Sequence, residues 1–343
     1  MSAIFGVVGP YDSNVSPADL ARLEKTLAHR GPDGSRAAHL GVTALGHCML
    51  HTTRESLQEV LPLVDSTAGL AITADARIDN REELIRDLRL QGQVGLADSE
   101  LILAAYRRWE EGCVDHLVGD FAFAIWDREA HRLFIARDPL GCKPFYYALN
   151  AGRFVFASSA DAVAAVTGAA LNEGRIADYL SMELEPAAAE ITWYEGVSRL
   201  PPAHCAWFEG GRLRLRRYWE LTPADLSHLR SDEHILEAFT EVYTEAVRVR
   251  LRSHQPPATM LSGGLDSSTI TALARDLMRE EGAALLRTYS AVSPAGIKCN
   301  ETAAIDAVID AGGLDSVRIS LDDIDRFSSA LSRQEPLFED GFD

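Results

Sequence analysis

Residues 258–268 read Ala-Thr-Met-Leu-Ser-Gly-Gly-Leu-Asp-Ser-Ser. Ala258 to Leu261 is a short apolar run with the length of a buried strand. Ser262-Gly263-Gly264 is a turn that needs small residues, and Asp266 to Met278 has a helical pattern. A glycine turn between a strand and a helix start leaves backbone N–H groups free and aims the helix dipole at one point. The hydroxyls of Ser262, Ser267 and Ser268 add donors there. Such a cradle suits a phosphate or pyrophosphate. No lysine follows the glycines, so it is not a Walker loop. Asp266 would repel a phosphate unless a cation lay between them, and Mg²⁺ shared by Asp266 and the phosphates resolves that conflict.

The elements that must hold this turn alternate. Ser231 starts a long helix whose apolar positions are Ile235, Leu236, Phe239, Val242, Tyr243, Ala246 and Val249. The 258–261 strand and the Ser-Gly-Gly helix follow. Then come a strand (286–292), a helix (300–309), a strand (316–320) and a helix (322–331). Alternating β and α predicts an α/β doubly wound parallel sheet. Ligands on such sheets bind at the carboxyl ends of the strands, which brings Val292 to the same edge as the turn.

Residues 1–217 read as α+β. Ser16-Pro17-Ala18-Asp19 is a helix start, with Leu20, Leu23 and Leu27 as its stripe. Strands are predicted at 70–73, 121–126, 133–136, 145–149, 154–157, 205–208 and 213–216, and helices over 81–90 and 99–109. Hairpin turns fall at Asn150-Ala151-Gly152 and Glu209-Gly210-Gly211. Residues 221–230 have the composition of a linker.

The net charge is −18 over 343 residues. An acidic chain lacks the basic face that nucleic acid or an anionic membrane requires. No run reaches the length of a membrane span and no signal peptide opens the chain, so a cytoplasmic protein is expected. Cys48, Cys113, Cys142, Cys205 and Cys299 are scattered, with no close pair, and read as reduced thiols. The histidines show no metal-ligand spacing, so no metal beyond Mg²⁺ is expected. His29 and His47 read as turn or sheet residues. Trp126, Phe145, Tyr146 and Tyr147 read as core, and Arg137-Asp138 as a structural pair.

The 258–268 stretch resembles the pyrophosphate loop of the ATP-pyrophosphatase superfamily. Those enzymes cleave ATP to AMP and pyrophosphate while adenylating a carboxylate. The first half resembles the class II glutaminase domain of asparagine synthetases. The matching stretches are Ile4-Phe5-Gly6-Val7, His29-Arg30-Gly31-Pro32-Asp33-Gly34, Leu45-Gly46-His47, Asp98-Ser99-Glu100, 119–127 and 136–147. The resemblance implies a four-layer αββα N-terminal-nucleophile sandwich over 1–217, a linker over 218–230, and the front of an ATP-pyrophosphatase domain over 231–343. It implies ATP and Mg²⁺ as cofactors. ATP would be held by Leu261, Ser262, Gly263, Gly264, Leu265, Asp266, Ser267, Ser268 and Val292, with Asp266 as the Mg²⁺ ligand and the adenylation residue.

The departures from that family narrow the reading. Its glutaminase uses an N-terminal cysteine exposed by Met removal, where this chain has Ser2. Its arginine for the glutamine carboxylate is replaced by Cys48-Met49. Its Asn-Gly-Glu oxyanion segment is replaced by Ala74-Asp75-Ala76, and Asp75 would repel an oxyanion. Of the substrate contacts only Asp98 remains. A site that needs all its parts is not expected to hydrolyse glutamine. Asp75 to Arg81 resembles the matching stretch of lasso-peptide cyclases and β-lactam synthetases, relatives that lost glutamine hydrolysis. That resemblance implies macrolactam closure of a precursor peptide, with a leader-peptide-processing protease as a further partner. The alternatives are a glutamine-dependent asparagine synthetase and a non-catalytic peptide-binding scaffold. The family's ATP domain continues into a second acidic motif that this sequence does not contain, so the second domain is expected to be truncated or one part of a split enzyme.

Overall fold

The computed structural model describes residues 1–10, 15–181, 190–294, 297 and 299–320. Among the described residues the chain divides into two compact units, the first of Met1–His51 with Glu55–Thr222, the second of Thr52–Arg54 with 223–320.

In the first unit the order is β1 (Ala3–Val8), α1 (Pro17–Leu27), β2 (Ser35–His39), β3 (Thr43–Cys48), β4 (Leu63–Asp65), β5 (Leu70–Ile78), α2 (Arg81–Asp87), α3 (Asp98–Trp109), β6 (Gly119–Asp127), β7 (Arg132–Arg137), β8 (Tyr146–Asn150), β9 (Arg153–Ala157), α4 (Ala160–Thr167), α5 (Glu173–Leu180), β10 (Ser198–Arg199), β11 (His204–Glu209) and β12 (Arg212–Arg217). The strands form two six-stranded antiparallel sheets, ordered β10-β8-β9-β1-β3-β2 and β12-β11-β7-β6-β5-β4.

Side-chain alternation shows how these sheets stack. On β1, Ala3, Phe5 and Val7 pack with Leu20, Leu23 and Leu27 of α1 and Val163 of α4. Ile4 and Val8 face the other way, into a layer with Ala122, Ala124 and Trp126 of β6. On β6 the intervening Phe121, Phe123 and Ile125 pack with Ile102 and Tyr106 of α3. Strands buried on both faces must be apolar at both parities. The result is a helix–sheet–sheet–helix stack, the αββα sandwich expected. β5 runs on to Ile78, beyond the four residues whose apolarity marks it, because Asp75 and Arg77 lie within the same ladder opposite Ala122 and Asp120. The expected core aromatics Trp126, Phe145 and Tyr146 are buried, and Tyr147 stacks on Phe154.

The second unit holds α6 (Asp232–Arg250), β13 (Ala258–Met260), α7 (Leu265–Glu280), β14 (Leu286–Val292), α8 (Asn300–Asp310) and β15 (Leu314–Ser320). Its three strands are parallel, in the order β13-β14-β15. Ser231 caps α6, its hydroxyl accepting from the His234 amide at 3.3 Å. Val247 of α6, Ala274, Leu277 and Met278 of α7 and Leu286 of β14 make the core. The stripe read on α6 departs from expectation. Ile235, Leu236, Phe239 and Val242 are exposed, because the inward face is formed by Tyr243, Val247 and Leu251. The helix expected over 322–331 lies outside the described residues.

Candidate functional site

The strand, turn and helix of the 258–268 stretch form where the sequence predicts them, but the strand is not the buried one expected: Ala258 and Met260 are exposed, Met260 at 74%, while Leu261 is buried. β13 ends at Met260, and the Leu261 amide still donates to the Tyr289 carbonyl at 2.9 Å. The chain then leaves the sheet. Gly263 has φ +76°, and a Cβ there would lie 2.8 Å from the Glu301 carbonyl and 3.0 Å from Ala304. The turn thus presses against the start of α8, and only glycine fits both its dihedral and its space. Gly264 is the N-cap of α7, and the Ser268 amide donates to its carbonyl at 3.0 Å. Helix geometry leaves the Leu265, Asp266 and Ser267 amides without an intrahelical acceptor, as an anion cradle needs.

The serines divide their labour differently from the sequence expectation. The Ser262 and Ser267 hydroxyls are 3.0 Å apart, and the Ser262 amide donates to Ser267 Oγ at 3.2 Å. They clasp the turn to the helix rather than both pointing outward. Ser268 sits half-buried one residue further along. Asp266 is exposed in the first turn of α7. Val292 ends β14 opposite Ser320, at the carboxyl edge where the turn also lies. Next to it, the Ser293 amide donates to Thr302 Oγ1 at 3.2 Å, joining that edge to α8.

Among the described residues no group of three or more His, Cys, Asp or Glu side chains could hold a metal. Asp266 brings one carboxylate to the first helical turn beside the loop. That donor set fits Mg²⁺, which is commonly held by one or two carboxylates, substrate phosphates and water.

The glutaminase-like residues of the first unit lie on and beside β1, β5 and α3. Ser2 precedes β1, and its hydroxyl accepts from the Leu50 amide at 3.0 Å and lies 3.3 Å from the Leu50 carbonyl. Three expectations are refined. Ala74 belongs to the core between the second sheet and α3. Asp75 is ion-paired with Lys143 Nζ at 2.8 Å, both side chains largely buried, so its charge is balanced rather than left to repel. Asp98, expected from the resemblance as a substrate contact, is bound by Arg81 and by the Ile78 amide. A guanidinium of the protein thus sits on the carboxylate that a substrate ammonium would need. The Arg137-Asp138 pair is structural as expected. Arg137 donates to the Lys143, Leu200 and Gly141 carbonyls at 2.7–2.9 Å, and Asp138 accepts the Cys142 and Lys143 amides at 2.9 Å each.

Sequence reasoning missed Lys143, Arg81, Glu59 and the exposure of His47 to a cavity. Glu59 accepts from Ser99 at the start of α3, and burial pushes its carboxyl up to about 7. His47 lines a cavity of about 380 Å³, and burial lowers its imidazole to about 4 despite the pull of Asp75.

The layered sandwich and the parallel α/β unit divide the chain as sequence comparison also divides it. The glutamine amidotransferase domain family matches residues 1–219 and the asparagine synthase family residues 238–338. The chain belongs to the asparagine synthetase superfamily. It is 34% identical to asparagine synthetase [glutamine-hydrolyzing] 3 of Bacillus subtilis (strain 168), over 78% of this chain and 44% of that protein. It is 31% identical to amidase chyE of Penicillium rubens, over 80% of this chain and 40% of that protein. The chain therefore spans about half the length of the curated relatives it matches. A solved glutamine phosphoribosylpyrophosphate amidotransferase from B. subtilis aligns over 98% of this chain and 94% of that one, at 14% identity and TM-score 0.48. No helix among the described residues is long and apolar enough to cross a membrane.

Proposed function

We propose that this chain is an ATP-dependent, amide-bond-forming ligase, or the front portion of one, with residues 1–217 as a glutaminase-like domain, 218–230 as a linker and 231–343 as the start of the ATP domain. The reaction adenylates a carboxylate and releases AMP and pyrophosphate. The observation that carries the reading is the Gly263–Gly264 turn, which delivers the first amides of α7 to the carboxyl edge of a parallel sheet.

On this reading the backbone of Gly263, Gly264 and Leu265 holds the β- and γ-phosphates. Ser262 and Ser267 fix the turn, and the Ser268 hydroxyl adds a donor. Leu261 ends the strand from which the loop springs, and the backbone at Val292 meets the adenine. Mg²⁺, held by Asp266 and the phosphates, supplies charge neutralisation for the leaving pyrophosphate. The exposed position of Asp266 in the first helical turn lets it reach a cation outside the loop.

The finer reading is a macrolactam-closing cyclase acting on a precursor peptide, with a leader-processing protease as a further partner. What favours it is the state of the glutaminase-like site. Asp98 is taken by Arg81, Asp75 by Lys143, and Met49 offers no charge for a carboxylate. An enzyme that gets no ammonia from glutamine must find its amine in the substrate. Glutamine-dependent asparagine synthesis, favoured by the name of the Bacillus relative, is the second reading. Incubating the chain with ATP, Mg²⁺ and candidate peptides and measuring pyrophosphate tests the first. Release of glutamate from glutamine that Ser2→Ala abolishes would establish the second instead.

A further inference from the structure

The last hairpin of the first unit ends in an arginine-rich edge strand. β12 reads Arg-Leu-Arg-Leu-Arg-Arg and is the end strand of its sheet, with β11 on its inner side. Gly210 and Gly211, at φ +56° and +77°, form the two-residue turn that joins them. Such a turn makes its flanking residues, Glu209 and Arg212, a hydrogen-bonded pair, and the ladder alternates from there. The Arg212, Arg214 and Arg216 backbones thus bond inward to β11, and so does Tyr218, whose amide donates to the Ala203 carbonyl at 2.9 Å. The N–H and C=O groups of Leu213 and Leu215 point outward, with no partner among the described residues. Side chains split by face. The register sets Arg214 beside Trp207 and Arg216 beside Cys205, on the α3 side, and Leu213 beside Phe208 and Leu215 beside Ala206, on the side between the sheets. Arg216 donates to the Glu111 carbonyl at 3.0 Å, and Arg217 pairs with Glu220 at 3.5 Å. Arg212 and Arg214 are exposed and pair with no carboxylate among the described residues, Glu209 opposite Arg212 included. The Arg214 guanidinium lies over the Trp207 ring, 5.0 Å from its centroid. Leu215 is 39% exposed.

We propose that β12 receives, as an added strand, an extended peptide segment with acidic side chains at alternate positions and apolar ones between them. The outward groups of Leu213 and Leu215 supply the ladder bonds of strand addition. Residues two apart on a strand share a face at a spacing of about 7 Å, so two carboxylates separated by one residue meet Arg212 and Arg214. A guanidinium fork without a partner suits a carboxylate, and stacking on Trp207 orients that of Arg214. The intervening apolar residue falls on the opposite face, beside Leu215. Charged side chains on an edge strand also guard it against pairing with a second copy, since like charges directly opposite each other destabilise a sheet. The same arginines therefore bar another β12 and admit an acidic strand. The chain carries a net charge of −18, so an acidic peptide is repelled elsewhere and steered to this strip. The inference does not depend on the nucleotide loop.

The test uses the whole chain, without ATP, and fluorescein-labelled acetyl-Thr-Glu-Val-Glu-Val-Glu-Thr-amide followed by anisotropy. The other arms are acetyl-Thr-Val-Val-Glu-Glu-Glu-Thr-amide, which has the same composition and charge in block order, and a short single-stranded oligonucleotide of equal charge. The alternating peptide should bind saturably and at least about tenfold tighter than either, a difference of about 1.4 kcal/mol. Arg212→Glu/Arg214→Glu, at two exposed positions, should weaken it at least about tenfold while circular dichroism shows the fold intact. Leu215→Pro removes one outward N–H, a change edge strands tolerate, and should weaken binding similarly; should that variant not fold, the charge-reversed one decides alone. No saturable binding, equal binding of the block-order peptide or the oligonucleotide, or unchanged affinity in either folded variant would each overturn the proposal.

Discussion

Lys143 Nζ lies 2.8 Å from Asp75 Oδ1, and the pair joins the loop after β7 to the middle of β5. Both side chains are largely buried, so each charge depends on the other. Removing one partner of such a pair typically costs about 3–5 kcal/mol, because the survivor is left uncompensated. Lys143→Met should therefore lower the denaturation midpoint of the first unit sharply, and the double variant Lys143→Met/Asp75→Leu should recover much of the loss. Equilibrium unfolding in urea measures both.

The first unit should not hydrolyse glutamine. Ser2 is bonded to Leu50, and neither Met49 nor the Arg81-bound Asp98 can grip a free amino acid. Glutamate release should stay at background and be unchanged in Ser2→Ala. Activity that Ser2→Ala removes would contradict the account.

Glu59 and His47 predict opposing pH dependences. Glu59 is raised from 4.5 to about 7, so between those values the folded state holds a proton that the unfolded chain has lost, and its contribution falls as pH rises. His47 is lowered from 6.5 to about 4, so between those values the unfolded chain binds the extra proton, and stability falls as pH falls. Near pH 5.5 the two nearly cancel. Glu59→Gln removes one arm, and its stability relative to the parent should improve from pH 4.5 to 7 by up to about 3 kcal/mol, at 1.36 kcal/mol per pKa unit. Urea unfolding across that range reads the difference. A flat difference would show that Glu59 titrates normally.

Gly263→Ala should damage the loop without unfolding the first unit. The φ of +76° and the 2.8 Å approach to the Glu301 carbonyl leave no room for a methyl group. A strained backbone position of this kind costs on the order of 1–3 kcal/mol. The second unit should melt lower by calorimetry while the first keeps its transition.

Parts of this were legible in the sequence. The Ser-Gly-Gly turn was, because glycine, strand and helix start coincide within eleven residues. The hairpin at Ala151-Gly152 was also legible, and both residues take the positive φ it requires. The strands β1 and β3 were less so, since burial on both faces erases the alternation that marks a strand. Arg81 could not be matched to Asp98, nor Lys143 to Asp75, from one chain. These partners are 17 and 68 residues apart, and only the fold brings them together. The α6 stripe was legible as apolar, but its pattern does not say which side is covered.

The central claim is that the turn at 262–268 holds the pyrophosphate of ATP with Mg²⁺. Calorimetric titration of Mg²⁺–ATP into the chain tests it most directly. The account predicts one binding site per chain, weakened by about 1.5–3 kcal/mol in Asp266→Asn, the size of a lost charge-assisted contact, and unchanged in Ser2→Ala. Absence of Mg²⁺–ATP binding in the folded chain, or equal affinity in Asp266→Asn and Gly263→Ala, would contradict it.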